Sequence, residues 1–211
     1  MINIQWFGHS MWKIWNNEVS IIIDPFEDIG YPIPENITAD IILSSHDHFD
    51  HNNFKIISGD PQIINSEGEY EICGVKILLI PTWHDNVHGE KRGCNLLTKF
   101  ELEGRIFLHC GDLGHDLSDE LISTLGKIDV LLIPVGGYYT IDAETAKNIV
   151  DKLKPTIVFP MHYKTEVLDF PITTEEPYLK LVSGYQKIDS NIIKLTETDF
   201  EREQTILLDY Q

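Results

Sequence analysis

The sequence reads Ser45-His46-Asp47-His48-Phe49-Asp50-His51 directly after a short apolar run at residues 41–44. We predict that the apolar run is a buried strand, which ends where the polar cluster begins. In an extended backbone His46 and His48 point the same way, because alternate side chains of a strand share one face. These two imidazoles can therefore bind one metal ion. Asp50 and His51 come after the turn and can face a second ion.

Three more metal-binding side chains stand directly after apolar runs elsewhere in the chain. His84 follows the run at residues 75–80, Asp112 follows residues 105–108, and His162 follows residues 157–159. Layered α/β folds place their sites at the carboxyl ends of strands. We therefore expect these side chains to meet the cluster at residues 46–51.

The alternation of apolar runs and turn residues predicts strands in the first half and an α/β unit in the second. We predict strands at residues 2–7, 11–15, 19–23, 41–44, 75–80, 96–102, 105–108, 130–133 and 157–159. A loop is expected at residues 26–38 and a short helix at residues 52–57. Ser118 and Asp142 are expected to cap two helices, which end at Gly126 and before Pro155. With no linker or repeat, residues 1–211 are predicted to be one domain.

The composition excludes several broad classes of protein. The chain has 211 residues, with 34 acidic and 16 basic ones, and its formal net charge is −18. This charge argues against a nucleic-acid binder, whose affinity comes from neutralising phosphates. No apolar run approaches the roughly 20 residues that span a bilayer, and we see no secretion signal. Three cysteines without a Cys-x-x-Cys pair fit a reducing cytoplasm. Self-association into a homo-oligomer stays open.

The spacing His46-x-His48-x-Asp50-His51 resembles the HxHxDH signature of the metallo-β-lactamase superfamily. Further motifs occur in the order expected for that superfamily: Gly8-His9-Ser10, Ile23-Asp24-Pro25, Pro81-Thr82-Trp83-His84, Gly111-Asp112-Leu113-Gly114, Pro134-Val135-Gly136-Gly137 and Pro160-Met161-His162-Tyr163. Together they are similar to the branch of small metal-dependent hydrolases that includes the ascorbate-6-phosphate lactonase-like proteins. The resemblance implies an α/β fold of four layers, the αββα sandwich.

The resemblance also implies a ligand set for two divalent metal ions. His46, His48 and His84 would hold the first ion, Asp50, His51 and His162 the second, and Asp112 would bridge them. A hydroxide between the ions would then attack an ester, lactone or phosphodiester bond of a small anionic substrate, with Asp50 and Asp112 as catalytic residues. Imidazole and carboxylate ligands favour zinc, with manganese and iron as alternatives.

The identity of individual ligands narrows the implied chemistry. Oxygen-dependent members of the superfamily often have an acid where His48 stands, so His48 favours hydrolysis. The commonest zinc β-lactamases have a cysteine where Asp112 stands, so antibiotic hydrolysis is disfavoured. Only 50 residues separate Asp112 from His162, which leaves no room for the cap domain of the related nucleases.

Residues beyond the ligands are candidates for substrate binding and proton transfer. The polar loop after His84 contains His88 and Arg92, which are predicted to bind substrate. His88 would be an acid or a hydrogen-bond donor, and Arg92 a clamp for an anion. Tyr138 and Lys164 follow other strand ends and are expected to line the same pocket. The alternatives are a solvated hairpin turn for His88 and Arg92, packing against the next helix for Tyr138, and an ordinary surface lysine for Lys164.

Three further side chains are expected near the metal ions. His115, three residues after Asp112, is predicted to be a catalytic residue that approaches the hydroxide or the substrate. Metal-bound imidazoles usually donate their second N–H to an acceptor, and we assign that role to Asp24. His9 is expected to border the site. For His115 and His9, a purely structural role is the alternative.

Two other functions remain compatible with the sequence. The first is a phosphodiesterase or nuclease that acts on nucleotides or RNA, whose binding would depend steeply on salt. The second is a non-catalytic, metal-binding regulatory protein, which would hold metal without turning over any substrate.

Overall fold

The computed structural model describes residues 1–210 as two packed β-sheets with helices and loops outside them. The strands are β1 (Ile2–Gly8), β2 (Met11–Trp15), β3 (Ser20–Ile23), β4 (Ile37–Thr38), β5 (Ile41–Leu43), β6 (Ile57–Ser58), β7 (Gln62–Ile64), β8 (Gly68–Ile72), β9 (Val75–Trp83), β10 (Cys94–Leu102), β11 (Arg105–His109), β12 (Val130–Pro134), β13 (Ile157–Met161), β14 (Gln186–Ile188), β15 (Ile192–Leu195) and β16 (Gln204–Leu208). The α-helices are α1 (Asp119–Leu125), α2 (Ala143–Leu153) and α3 (Glu176–Leu179), and 3-10 turns cover Phe54–Ile56 and Glu197–Phe200. Within residues 1–210, no helix combines the length and apolarity needed to cross a membrane.

The first sheet has six strands in the order β15-β1-β2-β3-β5-β7. Strands β1, β2 and β3 form an antiparallel meander, and β3, β5 and β7 run parallel. Both faces of this sheet are buried: Ile21 and Ile23 pack into the core between the sheets, whereas Ile22 joins a second apolar cluster with Phe26 and Leu168. This explains why its strands read as continuous apolar runs.

The second sheet has eight strands in the order β14-β16-β13-β12-β11-β10-β9-β8. Strands β8 to β11 are antiparallel, and β11, β12, β13, β16 and β14 run parallel. The predicted α/β unit is present: helix α2 connects β12 to its parallel neighbour β13, in the register Val130↔Ile157. Asp142 caps α2 by accepting from the Thr145 N–H, and Ser118 caps α1 in the same way.

The predicted sandwich is confirmed, with one difference in detail. The prediction of a helix at residues 52–57 is wrong. The segment contains a 3-10 turn at Phe54–Ile56, and Ile57–Ser58 then forms a short strand that pairs with Ile37–Thr38. The layer outside the first sheet is built from such irregular segments, which bury Phe26, Tyr31 and Ile172. Long-range burial, which local periodicity does not report, holds these segments in place.

The sheet topology brings the predicted site residues together. Strands β3 and β5 are parallel neighbours in one sheet, and β11, β12 and β13 are parallel neighbours in the other. Their carboxyl ends therefore lie at one edge of the sandwich. Asp24, the His46 cluster, Asp112 and His162 all follow these ends.

Candidate metal centre

The predicted ligands of the first metal ion converge in the structure. One ligand atom from each of His46, His48 and His84 lies within 4.8 Å of the other two. His46, His51 and Asp112 form a second group with the same spacing. Residues far apart in the sequence thus meet the cluster at residues 46–51, as predicted.

Asp112 lies at the centre of the cluster and is 2% exposed. Its Oδ1 atom is 3.2 Å from His51 Nε2, and its Oδ2 atom is 3.2 Å from both His84 Nε2 and His162 Nε2. One carboxylate therefore contacts histidines assigned to both predicted metal ions. This is the position that a bridging ligand requires.

The unpaired polar atoms of the cluster fit divalent metal ions. Within residues 1–210, His46 Nε2 is buried and makes no hydrogen bond, although buried polar atoms are normally paired. The buried His51 Nε2 and Asp112 Oδ1 atoms face each other at 3.2 Å. Two ligand atoms about 2.1 Å from one ion lie about 3.4 Å apart at the tetrahedral angle. The 3.2 Å separations around Asp112 are close to this value. The geometry and the donor set suit zinc-type coordination.

Asp24 orients two of the histidines from the side away from Asp112. Its carboxylate lies 2.9 Å from His51 Nδ1, and it accepts hydrogen bonds of 2.7 Å from both the Ser45 N–H and the Ser45 hydroxyl. The hydroxyl lies 2.8 Å from His46 Nδ1. These contacts leave the Nε2 atoms of both rings for a metal ion. The contact that our assignment of Asp24 requires is thus present.

The electrostatics of the cluster favour cations. Burial, and then the neighbouring His51, lowers the pKa of His46 to about 2, which keeps this imidazole in the neutral form that binds metal. Burial alone would lower the pKa of His51, but the Asp112 and Asp24 carboxylates raise it well above its usual value. Burial would raise the pKa of Asp112, whereas the adjacent histidines hold it well below its usual range. The carboxylates therefore stay ionised and attract positive charge.

Strand β10 fixes the backbone of the central carboxylate through Asn95. The Asn95 side-chain oxygen accepts from the Asp112 N–H at 2.8 Å, and its NH₂ group donates to Thr82 Oγ1 and to the Cys110 carbonyl. Gly111 allows this approach, since it has φ +54° and a Cβ there would lie 2.3 Å from Asn95 Oδ1. Asn95 therefore positions Asp112.

The remaining predicted ligands contact His9. His51, His162 and His9 form a third group whose ligand atoms lie within 4.8 Å of one another. The His9 Nε2 atom is 3.3 Å from Asp50 Oδ2, and Asp50 Oδ2 is 3.9 Å from His51 Nε2. Burial, and then the nearby His162, lowers the pKa of His9 to about 4. The structure therefore places His9 against the predicted second ion site, deeper than the border position expected from the sequence.

A sequence model of the beta-lactamase superfamily domain matches residues 3–162, more than half of the chain. The chain belongs to the beta-lactamase superfamily. It is 33% identical over 220 residues to a metal-dependent hydrolase of Thermococcus onnurineus, with 89% of this chain and 95% of that protein covered. It is also 33% identical over 203 residues to a metal-dependent hydrolase of Nanoarchaeum equitans, with 84% and 89% covered.

The similarity extends to the fold, over nearly the whole length of both chains, in one solved structure. A Thermotoga maritima protein, assigned to the zinc-dependent hydrolases of the metallo-β-lactamase superfamily, superposes with a TM-score of 0.85. It is 36% identical, and the match covers 99% of this chain and 98% of that one. The predicted family and enzyme class, a metal-dependent hydrolase, are confirmed.

In the present chain, the loop between β9 and β10 carries two of the residues predicted to bind substrate, His88 and Arg92. Asp85 organises the loop: its carboxylate accepts from the N–H groups of residues 87, 89, 91 and 92 at 2.8–2.9 Å. These bonds lower the pKa of Asp85 against the opposing effect of burial. His88 is exposed with its ring 6.2 Å from Trp83, and the Arg92 guanidinium lies 5.3 Å over the Tyr139 ring.

Aromatic rings connect Arg92 to the metal centre. Tyr139 contacts Phe170 at 5.9 Å between ring centroids, and the edge of Phe170 contacts His9 at 5.5 Å. Tyr138, which is 66% exposed, packs edge-on against Tyr139 at 4.7 Å. Arg92 and Tyr138 therefore lie on a continuous wall that begins beside the ligands.

His115 and Lys164 have contacts that favour structural roles. His115 Nδ1 lies 2.7 Å from the Asp116 carbonyl, and its Nε2 accepts from the Trp83 N–H at 3.3 Å. Both ring nitrogens are thus in contact with the backbone. The Lys164 amino group donates to the Phe170 carbonyl and lies 3.8 Å from Asp169. The catalytic role of His115 and the substrate role of Lys164 stay predictions.

Sequence reasoning missed four residues that shape the centre: Ser45, Asp85, Asn95 and Phe170. Asn95 carried a signal, because it is a polar residue directly before the predicted strand at residues 96–102. The structure shows that it is fully buried. Asp85 also carried one, since an aspartate before Asn-Val-His-Gly is typical of side-chain-capped turns. Phe170 carried none, as its contact with His9 depends on tertiary structure.

Proposed function

We propose that the chain is a two-metal hydrolase that cleaves an ester, lactone or phosphodiester bond in a small anionic molecule. The position of Asp112 supports this proposal most strongly. Its carboxylate lies 3.2 Å from each of three histidines that come from separate parts of the chain. Such an arrangement is what two neighbouring divalent ions with one shared carboxylate require.

In this proposal His46, His48 and His84 hold the first ion, Asp50, His51 and His162 hold the second, and Asp112 serves both. Zinc is the proposed metal, with manganese and iron as alternatives. Bound divalent ions polarise the scissile group and lower the pKa of water to about 7, so that no serine or cysteine nucleophile is needed.

Neighbouring residues orient the proposed ligands through hydrogen bonds. Asp24 accepts from His51 Nδ1, so that Nε2, which lies 3.2 Å from Asp112 Oδ1, is the nitrogen that would bind the ion. Ser45 does the same for His46, and Asn95 fixes the backbone of Asp112. Ligands held in this way need little rearrangement when substrate binds, which favours catalysis.

The substrate's anionic group is proposed to bind at Arg92. The protein carries a net charge of −18, so an anion needs a local positive group in addition to the metal ions. Arg92 lies on the Tyr139–Phe170 wall beside the centre, and its planar fork suits a carboxylate or a phosphate. Exposed Tyr138 and His88 are proposed to contact the rest of the substrate.

Hydrolysis assays with metal-loaded protein test this function. The zinc- and manganese-loaded forms would be assayed with a chromogenic phosphodiester, a carboxyl ester, a sugar-acid lactone and a β-lactam. Asp112→Asn keeps the shape of the side chain and removes its charge. Asp116→Asn is the matched control, because it removes a carboxylate from the exposed surface four residues away.

We expect turnover of one non-lactam class, lost in Asp112→Asn and retained in Asp116→Asn. A phosphodiester as the only substrate, with binding that weakens steeply as salt rises, would favour a nuclease. Two bound ions without turnover of any class would favour a regulatory protein and contradict the hydrolase proposal. Equal activity in both variants would contradict the role of Asp112.

A further inference from the structure

His9 is a fully buried imidazole, 0% exposed, whose Nδ1 atom makes no hydrogen bond with any of residues 1–210. Its Nε2 atom faces a carboxylate, Asp50 Oδ2, at 3.3 Å. His109 is equally buried but has a partner at each nitrogen: Nε2 lies 3.0 Å from the Ser10 carbonyl and Nδ1 accepts from the Gly111 N–H. Buried polar side chains are normally paired in this second way. The state of His9 therefore requires another explanation than packing.

The ring of His9 lies among the predicted ligands of the second ion. Its centroid is 4.1 Å from that of His162 and 5.3 Å from that of His51. Its Nε2 atom is 3.3 Å from Asp50 Oδ2. Two atoms that each bind one ion at about 2.1 Å lie about 3.0–3.6 Å apart at the angles of about 90–120° found with five ligands, and this separation falls in that range.

The backbone around His9 is built to hold the ring in place. His9 has φ +50°, a conformation that few residues other than glycine adopt. Its carbonyl accepts from Trp6 Nε1 at 3.1 Å and from the His162 N–H at 3.2 Å. Gly8 allows Tyr31 to pack against the turn, since a Cβ at Gly8 would lie 2.2 Å from that ring. The turn thus ties His9 directly to a predicted ligand.

We infer that His9 binds the second metal ion directly through Nε2, together with Asp50, His51 and His162. The inference rests on the proposed two-metal site and deepens it by one ligand. The second ion then has five protein ligands including Asp112, whereas the first has four. The Phe170 ring packs nearly perpendicular to the His9 ring, with 5.5 Å between the ring centroids.

Nuclear magnetic resonance of the protein loaded with cadmium-113 tests the inference on the unaltered chain. Ring protons of a coordinated histidine couple to the metal nucleus, so each ligand gives a cross-peak. We expect one cadmium signal to correlate with the rings of His9, His51 and His162, and the other with His46, His48 and His84. Correlations to His51 and His162 without one to His9 would overturn the inference and leave the two-metal proposal standing.

Metal titration of His9→Asn gives a second readout. Asparagine tolerates a positive φ, and His88→Asn is the matched control, because His88 also has a positive φ of 58° but lies outside the cluster. Loss of a residue that merely supports a ligand weakens binding by about 10–100-fold. We expect His9→Asn to weaken the binding of the second ion by more than about 100-fold. We expect His88→Asn to bind both ions with unchanged affinity.

The outcomes separate this inference from the proposed function. Unchanged binding of the second ion by His9→Asn would refute the inference alone. Failure of the unaltered protein to bind two ions would refute the two-metal proposal itself. If His9→Asn does not fold, as judged by circular dichroism, the cadmium experiment on the unaltered chain still decides.

Discussion

Replacing Asp24 by asparagine should weaken metal binding without disturbing the backbone. Asp24 has φ +49°, and asparagine adopts this conformation readily. The carboxylate accepts from His51 Nδ1 at 2.9 Å and from Ser45. The NH₂ group of asparagine would instead donate to Nδ1. His51 would then carry its proton on Nε2, the nitrogen that lies 3.2 Å from Asp112 and is proposed to bind metal.

The magnitude follows from what such supporting contacts contribute. Loss of the partner behind a metal-bound histidine costs about 10–100-fold in metal affinity. At about 1.4 kcal/mol per factor of ten, this corresponds to about 1.4 to 2.8 kcal/mol. Competition between the protein and a chromogenic chelator for zinc measures this difference directly.

The chain offers a closely matched control for this experiment. Asp40 accepts from the Ser20 N–H at 2.8 Å and from the Ser20 hydroxyl at 2.7 Å, just as Asp24 does from Ser45, but it is exposed. Asp40→Asn should therefore leave zinc affinity unchanged. Unaltered affinity in Asp24→Asn, or an equal loss in both variants, would refute the reasoning.

Three other variants test separate parts of the structure. Arg92→Gln should lower kcat/KM for an anionic substrate by about 10–100-fold, mainly through KM, because a charge-assisted hydrogen bond contributes about 1.5–3 kcal/mol; an unchanged KM would contradict the anion clamp. Asn95→Ala leaves the buried Asp112 N–H unpaired and should lower the free energy of unfolding by about 1–3 kcal/mol in denaturant titrations; native stability would show that Asn95 is dispensable. Burial raises the pKa of Tyr31 to about 12, so its contribution to stability is complete below pH 10 and is lost as the pH rises towards 12. Between pH 8 and pH 11, the free energy of unfolding of Tyr31→Phe should therefore fall by about 1.4 kcal/mol less than that of the unaltered protein. Equal decreases in the two proteins would refute the raised pKa of Tyr31.

Local sequence patterns were sufficient for the regular elements near the centre. Strands β1, β2, β9 to β13 and helices α1 and α2 all contain the runs predicted for them. Their periodicity and their caps, such as Ser118 and Asp142, are encoded within a few neighbouring residues. The short pairs β4–β6 and β14–β16 were not predicted, because their pairing partners lie about 20 residues away in the sequence and the segments themselves are only two to five residues long.

Within the candidate site, too, local sequence patterns predicted some features, and other features depend on tertiary contacts. The HxHxDH spacing singled out His46, His48 and His51, and the positions after strand ends added His84, Asp112 and His162. The sequence also offered Asp24 as a partner for a histidine, and the structure shows it beside His51. The sequence did not reveal which nitrogen of each imidazole forms a hydrogen bond outside the metal site. That depends on tertiary contacts such as the one between the Ser45 hydroxyl and His46 Nδ1.

By itself, the sequence determined the fold family, the chemistry of the ligands and the strands that carry them, because these depend on spacing and on apolar periodicity. Only the tertiary structure placed His9 beside His51 and His162, engaged both nitrogens of His115 with the backbone and turned Lys164 towards the Phe170 carbonyl. Each of these outcomes depends on where the side chains of distant segments come to lie. Burial and the pairing of polar atoms settle that position across the whole fold, and one stretch of sequence cannot specify it.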